Sequence, residues 1–142
     1  MVSKEIVASL DEISMIAKEL KALLPSNVIL FLEGDLASGK TTLTGAIAKE
    51  FGLEDVVSSP TFSLQQCYDD KLFHYDLYRI GLQDMMSLGL HEEFDKAGWH
   101  IVEWGSDELR AFLDSAGYNT CHIKIEPFAE KRRYIIGEAC IH

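Results

Sequence analysis

A chain of 142 residues with 47% hydrophobic content can fill one core but not two, so a single domain spanning residues 1–142 is expected. With 13 Lys plus Arg and a net charge of −10, the chain lacks the basic face that direct binding to DNA or RNA demands. No apolar run approaches membrane-spanning length and no basic segment precedes an apolar one near the first residue, which argues against a membrane protein and for a soluble, cytoplasmic one. The three cysteines, Cys67, Cys121 and Cys140, have no metal-ligand spacing and are expected to be free buried thiols.

The first periodic segment places Leu10, Ile13, Ile16, Ala17, Leu20, Leu23 and Leu24 at helical spacing and stops before Pro25, which predicts an amphipathic helix packed on a sheet. Residues Asn27 to Glu33 form an apolar run with the length and composition of a buried strand. Directly after it, residues 34 to 41 read Gly-Asp-Leu-Ala-Ser-Gly-Lys-Thr, a complete Gly-x-x-x-x-Gly-Lys-Ser/Thr loop. Strand, glycine loop and helix is the context in which that motif binds a nucleoside triphosphate. A polyanion needs several backbone N–H donors converging on it, and Gly34 and Gly39 permit the close approach that side chains would block. Lys40 is then expected to reach the β- and γ-phosphates, while the Thr41 hydroxyl is placed to ligate Mg²⁺. A helix begins at Thr41 and Thr42, turns Leu43, Ala46, Ile47 and Phe51 inward, and stops at Gly52.

Further along, residues 56–62 lead into a strand over Ser63 to Tyr68, and Leu72 to Asp76 forms a second, joined through Asp69, Asp70 and Lys71 as a hairpin. Helical stretches are predicted around Gln83 to Leu88 and His91 to Lys96, followed by a strand from His100 to Trp104. A helix from Asp107 to Asp114 and closing strands at Cys121 to Glu126 and Arg132 to Glu138 complete the reading. The fold class is therefore α/β: a P-loop NTPase domain with a mixed parallel and antiparallel sheet flanked by helices.

Phosphate hydrolysis also needs an acid that holds the metal or its waters and a group that orients the attacking water. Glu103, ending the run His100-Ile101-Val102, and Asp76, ending Leu72 to Tyr75, both stand at strand termini facing the ligand crevice of an α/β sheet. Spacing leaves open which of the two holds metal and which orients water. The five histidines show no paired ligand spacing and read as structural or surface residues. Arg79 reads as an ion-pair partner or as an arginine finger. The acidic stretch Asp84 to Glu93, apolar at Met85, Met86, Leu88 and Leu90, is either a partner surface or a packed amphipathic segment.

The loop GDLASGKTTLT, the segment Ser59-Pro60-Thr61-Phe62, the run from His74 to Arg79 and the pair Glu103-Trp104 stand in the order and approximate spacing of the bacterial TsaE (YjeE) family. The chain resembles that family over nearly its whole length. Its members are small P-loop ATPases required for making threonylcarbamoyladenosine in tRNA. The resemblance implies that Gly34, Asp35, Leu36, Ala37, Ser38, Gly39, Lys40, Thr41 and Thr42 cradle the phosphates of ATP. It implies that Thr41 and Glu103 hold Mg²⁺, that Asp76 is an essential acid near the γ-phosphate, and that Ser59 to Phe62 form a switch-like segment. Lys40, Asp76 and Glu103 are the implied catalytic set. Arg132 matches a C-terminal arginine that contacts nucleotide, although three adjacent cations, Lys131 to Arg133, also suit a solvated strand edge. Trp104 packs near the metal site or the partner surface, or else in the core.

In that picture the chain works with the TsaB–TsaD pair. A TsaC-type enzyme makes the threonylcarbamoyl-adenylate, the TsaD component transfers the group to the adenosine beside the anticodon, and ATP hydrolysis resets the complex. Two departures stand out: Ala37 occupies a position usually held by glycine, and Ile13 with Ser14 replaces a threonine of the upstream helix. Two other classes share the loop. A small-molecule or nucleotide kinase would need a lid with phosphate-clamping arginines, and a non-hydrolysing nucleotide-dependent binding module would use ATP only to fix one conformation. A GTPase is disfavoured because no Asn/Thr-Lys-x-Asp segment occurs.

Overall fold

The computed structural model describes residues 4–34, 39–53, 64–78 and 80–137. Its strands are β1 (Lys4–Ala8), β2 (Val28–Glu33), β3 (Gln65–Tyr68), β4 (Leu72–Asp76), β5 (Trp99–Glu103), β6 (Thr120–Phe128) and β7 (Lys131–Ile136). Its α-helices are α1 (Ile13–Leu23), α2 (Lys40–Glu50), α3 (Leu82–Leu88) and α4 (Asp107–Ser115). One sheet holds the seven strands in the order β1-β7-β6-β2-β5-β4-β3. Strand β2 runs parallel to β5 and β6, and β4 parallel to β5, while β1–β7, β6–β7 and β3–β4 are antiparallel. The sheet is mixed, as the α/β reading expects.

Alternation along each strand sorts side chains into two cores. Val28, Leu30, Leu32, Leu72, Trp99 and Ile101 pack with Ile16, Leu20, Leu43 and Ile47 of α1 and α2. Ile29, Phe31, Phe73, Tyr75 and Val102 pack on the opposite face with Met85, Leu109 and Leu113 of α3 and α4. Strand β2 is covered on both sides, which explains its unbroken apolar run. Met85 and Leu90 are core residues, whereas Met86 and Leu88 remain exposed.

Several local expectations shift. The N-terminal helix starts at Ile13; Leu10–Glu12 forms a 3-10 turn, held by Ser9, whose N–H and hydroxyl donate to the Glu12 carboxylate at 3.0 and 2.9 Å. Residues Leu90–Asp95 are 3-10 rather than α-helical, because Gly89 at φ +77° closes α3 and redirects the chain. Strand β5 starts at Trp99 and ends at Glu103, and Trp104, at φ +63°, leaves the strand in the left-handed region. Strand β1 was not anticipated: it is short, half-exposed and charged, and only its antiparallel register with β7 defines it. Cys67 is a free buried thiol as expected, but Cys121 is disulfide-bonded. An odd cysteine count leaves one thiol over without forbidding a pair.

A buried polar chain fastens the β3–β4 hairpin to the rest of the domain. Gln65 donates to Glu93 at 3.0 Å and to the Tyr75 hydroxyl at 3.3 Å, and Lys96 donates to Glu93 at 2.9 Å. The Tyr75 hydroxyl lies 2.7 Å from His100 Nδ1, and His100 Nε2 lies 2.7 Å from the Lys96 carbonyl. Burial pushes the His100 imidazole below its ordinary value, so it stays neutral, accepting from Tyr75 and donating to Lys96. Tyr75→Phe deletes the hydroxyl, leaves His100 Nδ1 without its donor and takes one of the two bonds of Gln65 away, with Glu93 still accepting the other. We expect a loss of about 2 kcal/mol, read as a lowered urea midpoint with an unchanged slope.

Candidate functional site

Parallel pairing brings the C-terminal ends of β2, β4 and β5 to one edge of the sheet, and the site is built there. In the register, Glu103 lies beside Leu32 on one side and beside Asp76 on the other. Alternation decides which way the side chains point. Leu72, Trp99 and Ile101 pack toward α2, so His74 and Asp76 on β4, and Glu103 on β5, turn to that same face. Helix α2 begins there at Lys40, with Gly39 at φ +100° as its N-terminal flank, and its exposed N–H groups favour negative charge.

Four side chains converge. The Thr41 hydroxyl lies 3.2 and 3.3 Å from the two carboxylate oxygens of Glu103. His74 Nε2 bonds to Oε2 of the same carboxylate. Glu103 is 5% exposed and Lys40 3%, so both charges sit where their fields are little screened. Lys40 Nζ donates to the Gly34 carbonyl at 2.5 Å and lies 3.9 Å from the centre of the Trp104 ring, a cation–π contact. Tyr78 meets Trp104 edge-on at 5.0 Å. The left-handed backbone at Trp104 is what swings its indole over the lysine instead of continuing the strand.

Beyond β6, on the same face of the sheet, β7 supplies Arg132. A Cβ built on Gly39 would overlap its guanidinium, with Cζ at 3.0 Å, so the arginine lies directly against the start of α2, at a backbone position whose φ of +100° favours glycine. Asp76 is exposed at the rim, where its carboxylate accepts the Tyr78 N–H at 3.2 Å. Two cavities adjoin this edge. One of about 210 Å³ is bordered by Glu33, Gly34, Trp104 and Arg110; a groove of about 590 Å³ between α1 and α2 is bordered by Ile13, Ser14, Lys18, Thr42 and Lys49.

The expected residues Gly34, Gly39, Lys40, Thr41, Glu103 and Arg132 therefore come together, Asp76 stands beside Glu103 in register, and Thr42 opens onto the groove. Asp35, Leu36, Ala37, Ser38, Ser59 to Phe62 and Arg79 lie outside the described residues. His74, expected as a structural or surface residue, bonds Glu103 in the site. The signal was available: His74 precedes Asp76 by two residues on one strand and so shares its face. Among the described residues no helix is long and apolar enough to cross a membrane.

Comparison with known proteins follows the same lines. The family model described as threonylcarbamoyl adenosine biosynthesis protein TsaE matches residues 7–135. TsaE of Bacillus subtilis is 40% identical over 97 residues, covering 66% of this chain and 61% of that protein. TsaE of Treponema pallidum is 35% identical over 86 residues, covering 58% of this chain and 64% of that protein, so the matched region spans less than two thirds of either relative. TsaE of Streptomyces coelicolor is 30% identical over 135 residues, covering 82% of this chain and 90% of its own length. The crystal structure of YdiB from Bacillus subtilis superposes with a TM-score of 0.63 at 29% identity, covering 96% of this chain and 86% of that one. With the family match running from β1 into β7, the chain belongs to the TsaE family.

Proposed function

We propose that this protein is a cytoplasmic Mg²⁺-dependent ATPase of the tRNA threonylcarbamoyladenosine machinery, acting with a TsaB–TsaD pair and without touching the modified base. The observation that carries the reading is the Thr41–Glu103 contact at the mouth of α2, beside the buried Lys40. The donor set fits Mg²⁺: a hydroxyl and a carboxylate are hard oxygen ligands, and a Thr41 that donates its proton to Glu103 keeps lone pairs for a cation. ATP would bring the transferable phosphoryl group, with Mg²⁺ neutralising its charge.

The chain's own residues divide the rest of the work. Gly34 through Thr42 would wrap the phosphates with backbone N–H groups, and Lys40 would exchange its present partners, the Gly34 carbonyl and the Trp104 ring, for phosphate oxygens. Arg132, lying on Gly39, would add a second cation at the loop. Asp76, solvent-facing one strand over from Glu103, would orient the attacking water. The groove beside Thr42 has the volume for a nucleoside. Tyr78, against Trp104, is 47% exposed, and Met86 and Leu88 on α3 are 42 and 51% exposed, apolar surface that suits a protein partner, and the charge of −10 suits docking to protein rather than RNA.

The test is Mg-ATP turnover by the purified protein, alone and with the TsaB–TsaD pair from the same source. Strong stimulation by the pair, absent from Lys40→Ala, is the expected result. Tight ATP binding with no turnover under either condition would indicate a nucleotide-dependent binding module instead. Label from γ-phosphate appearing on a metabolite rather than in inorganic phosphate would indicate a kinase.

A further inference from the structure

We infer that His74 is a positioning residue for Glu103: its Nε2–H holds one carboxylate oxygen so that the other is left to the cation site beside Thr41. The inference rests on the proposed Mg-ATP reading of this crevice. Glu103 sits at the last position of β5, where the chain is about to turn into the left-handed Trp104. Two groups hold it. Thr41 touches both oxygens at 3.2 and 3.3 Å, and His74 bonds Oε2 alone.

The asymmetry matters. A hydroxyl nearly equidistant from both oxygens does not choose between carboxylate orientations, whereas an imidazole on one oxygen does. His74 reaches Glu103 because parallel pairing sets it opposite Ile101, two residues short of the strand end, and its ring spans the remaining distance along the same face. Its side chain is 13% exposed and that of Glu103 6%, so little water is at hand to take over the bond. A group that holds a ligating carboxylate through a donated N–H typically changes metal affinity by about 10- to 100-fold when removed. None of this requires His74 to touch nucleotide, so it is not a catalytic residue.

The experiment is calorimetric titration of ATP, with and without Mg²⁺, into the wild type, His74→Leu and His74→Gln, together with the melting temperature of each protein alone. The glutamine amide can still donate to Oε2; leucine fills the space without a donor. The expected result is that Leu cuts the Mg²⁺-dependent gain in affinity by about tenfold, leaves Mg²⁺-free binding unchanged, and is rescued by Gln. Should His74→Leu melt too early to titrate, His74→Asn, whose shorter amide stops short of Glu103, takes its place. A full Mg²⁺ gain in the donor-lacking variant overturns the inference and leaves the site reading intact, and so does a Gln variant as impaired as Leu. A wild type whose ATP affinity ignores Mg²⁺ overturns both.

Discussion

Glu103→Gln is expected to lower ATP turnover by about 100- to 1000-fold while weakening Mg-ATP affinity by only about tenfold, since a preorganised charge at a phosphoryl-transfer site acts mainly in the transition state. The substitution keeps the shape of the side chain. Its amide oxygen can still accept from Thr41 or His74, and Glu103 is buried against both, so folding should survive. What disappears is the negative charge in a crevice that also holds the buried Lys40 cation, and with it the anionic partner that the site offers a divalent cation. Single-turnover kinetics beside equilibrium binding separates the two effects. Equal losses in binding and turnover would mean that Glu103 merely holds the loop together.

Lys40→Ala acts on the other quantity. Lys40 enters the first turn of α2 almost fully buried, and among the described residues its ammonium group meets the Gly34 carbonyl and the face of Trp104. These partners are weak holds for a cation compared with phosphate oxygens, to which charge-assisted bonds form at short range. Removing the ammonium should therefore cost ATP binding about 100-fold, or about 2.7 kcal/mol, with the unliganded protein still folded because alanine is a good helix former at that position. Loss of binding in a protein whose melting temperature has collapsed would not support the account. For that reason the thermal midpoint belongs beside the titration.

Legibility varied along the chain for physical reasons. The phosphate loop and β2 were readable because both signals are local: a fixed spacing of glycines and lysine, and an apolar run covered on both faces. Glu103 and Asp76 were readable singly as strand ends, but their adjacency was not, since it depends on parallel pairing between segments with α3 between them. Arg132 was suggested by family resemblance alone; its contact with Gly39 arises from the return of the chain through β6 and β7. Strand β1 escaped because Lys4 and Glu5 interrupt any apolar pattern and only β7 gives it a ladder. Trp104 was expected near the metal site, at the partner surface or in the core; its contact with Lys40 was not legible, because it follows from a left-handed backbone that a tryptophan rarely adopts. The 3-10 segment after Gly89 shows the limit of periodicity, which sees apolar positions recur but cannot count residues per turn over six positions.

The claim on which the rest depends is that the crevice between β2, β5 and α2 is an ATP site. Isothermal titration of Mg-ATP into the wild-type protein and Lys40→Ala tests it most directly. Saturable binding of one nucleotide per chain is expected in the wild type, with affinity weaker by about 100-fold in the variant; equal affinity in the two, or no binding by the wild type, would rule an ATP site out of this crevice.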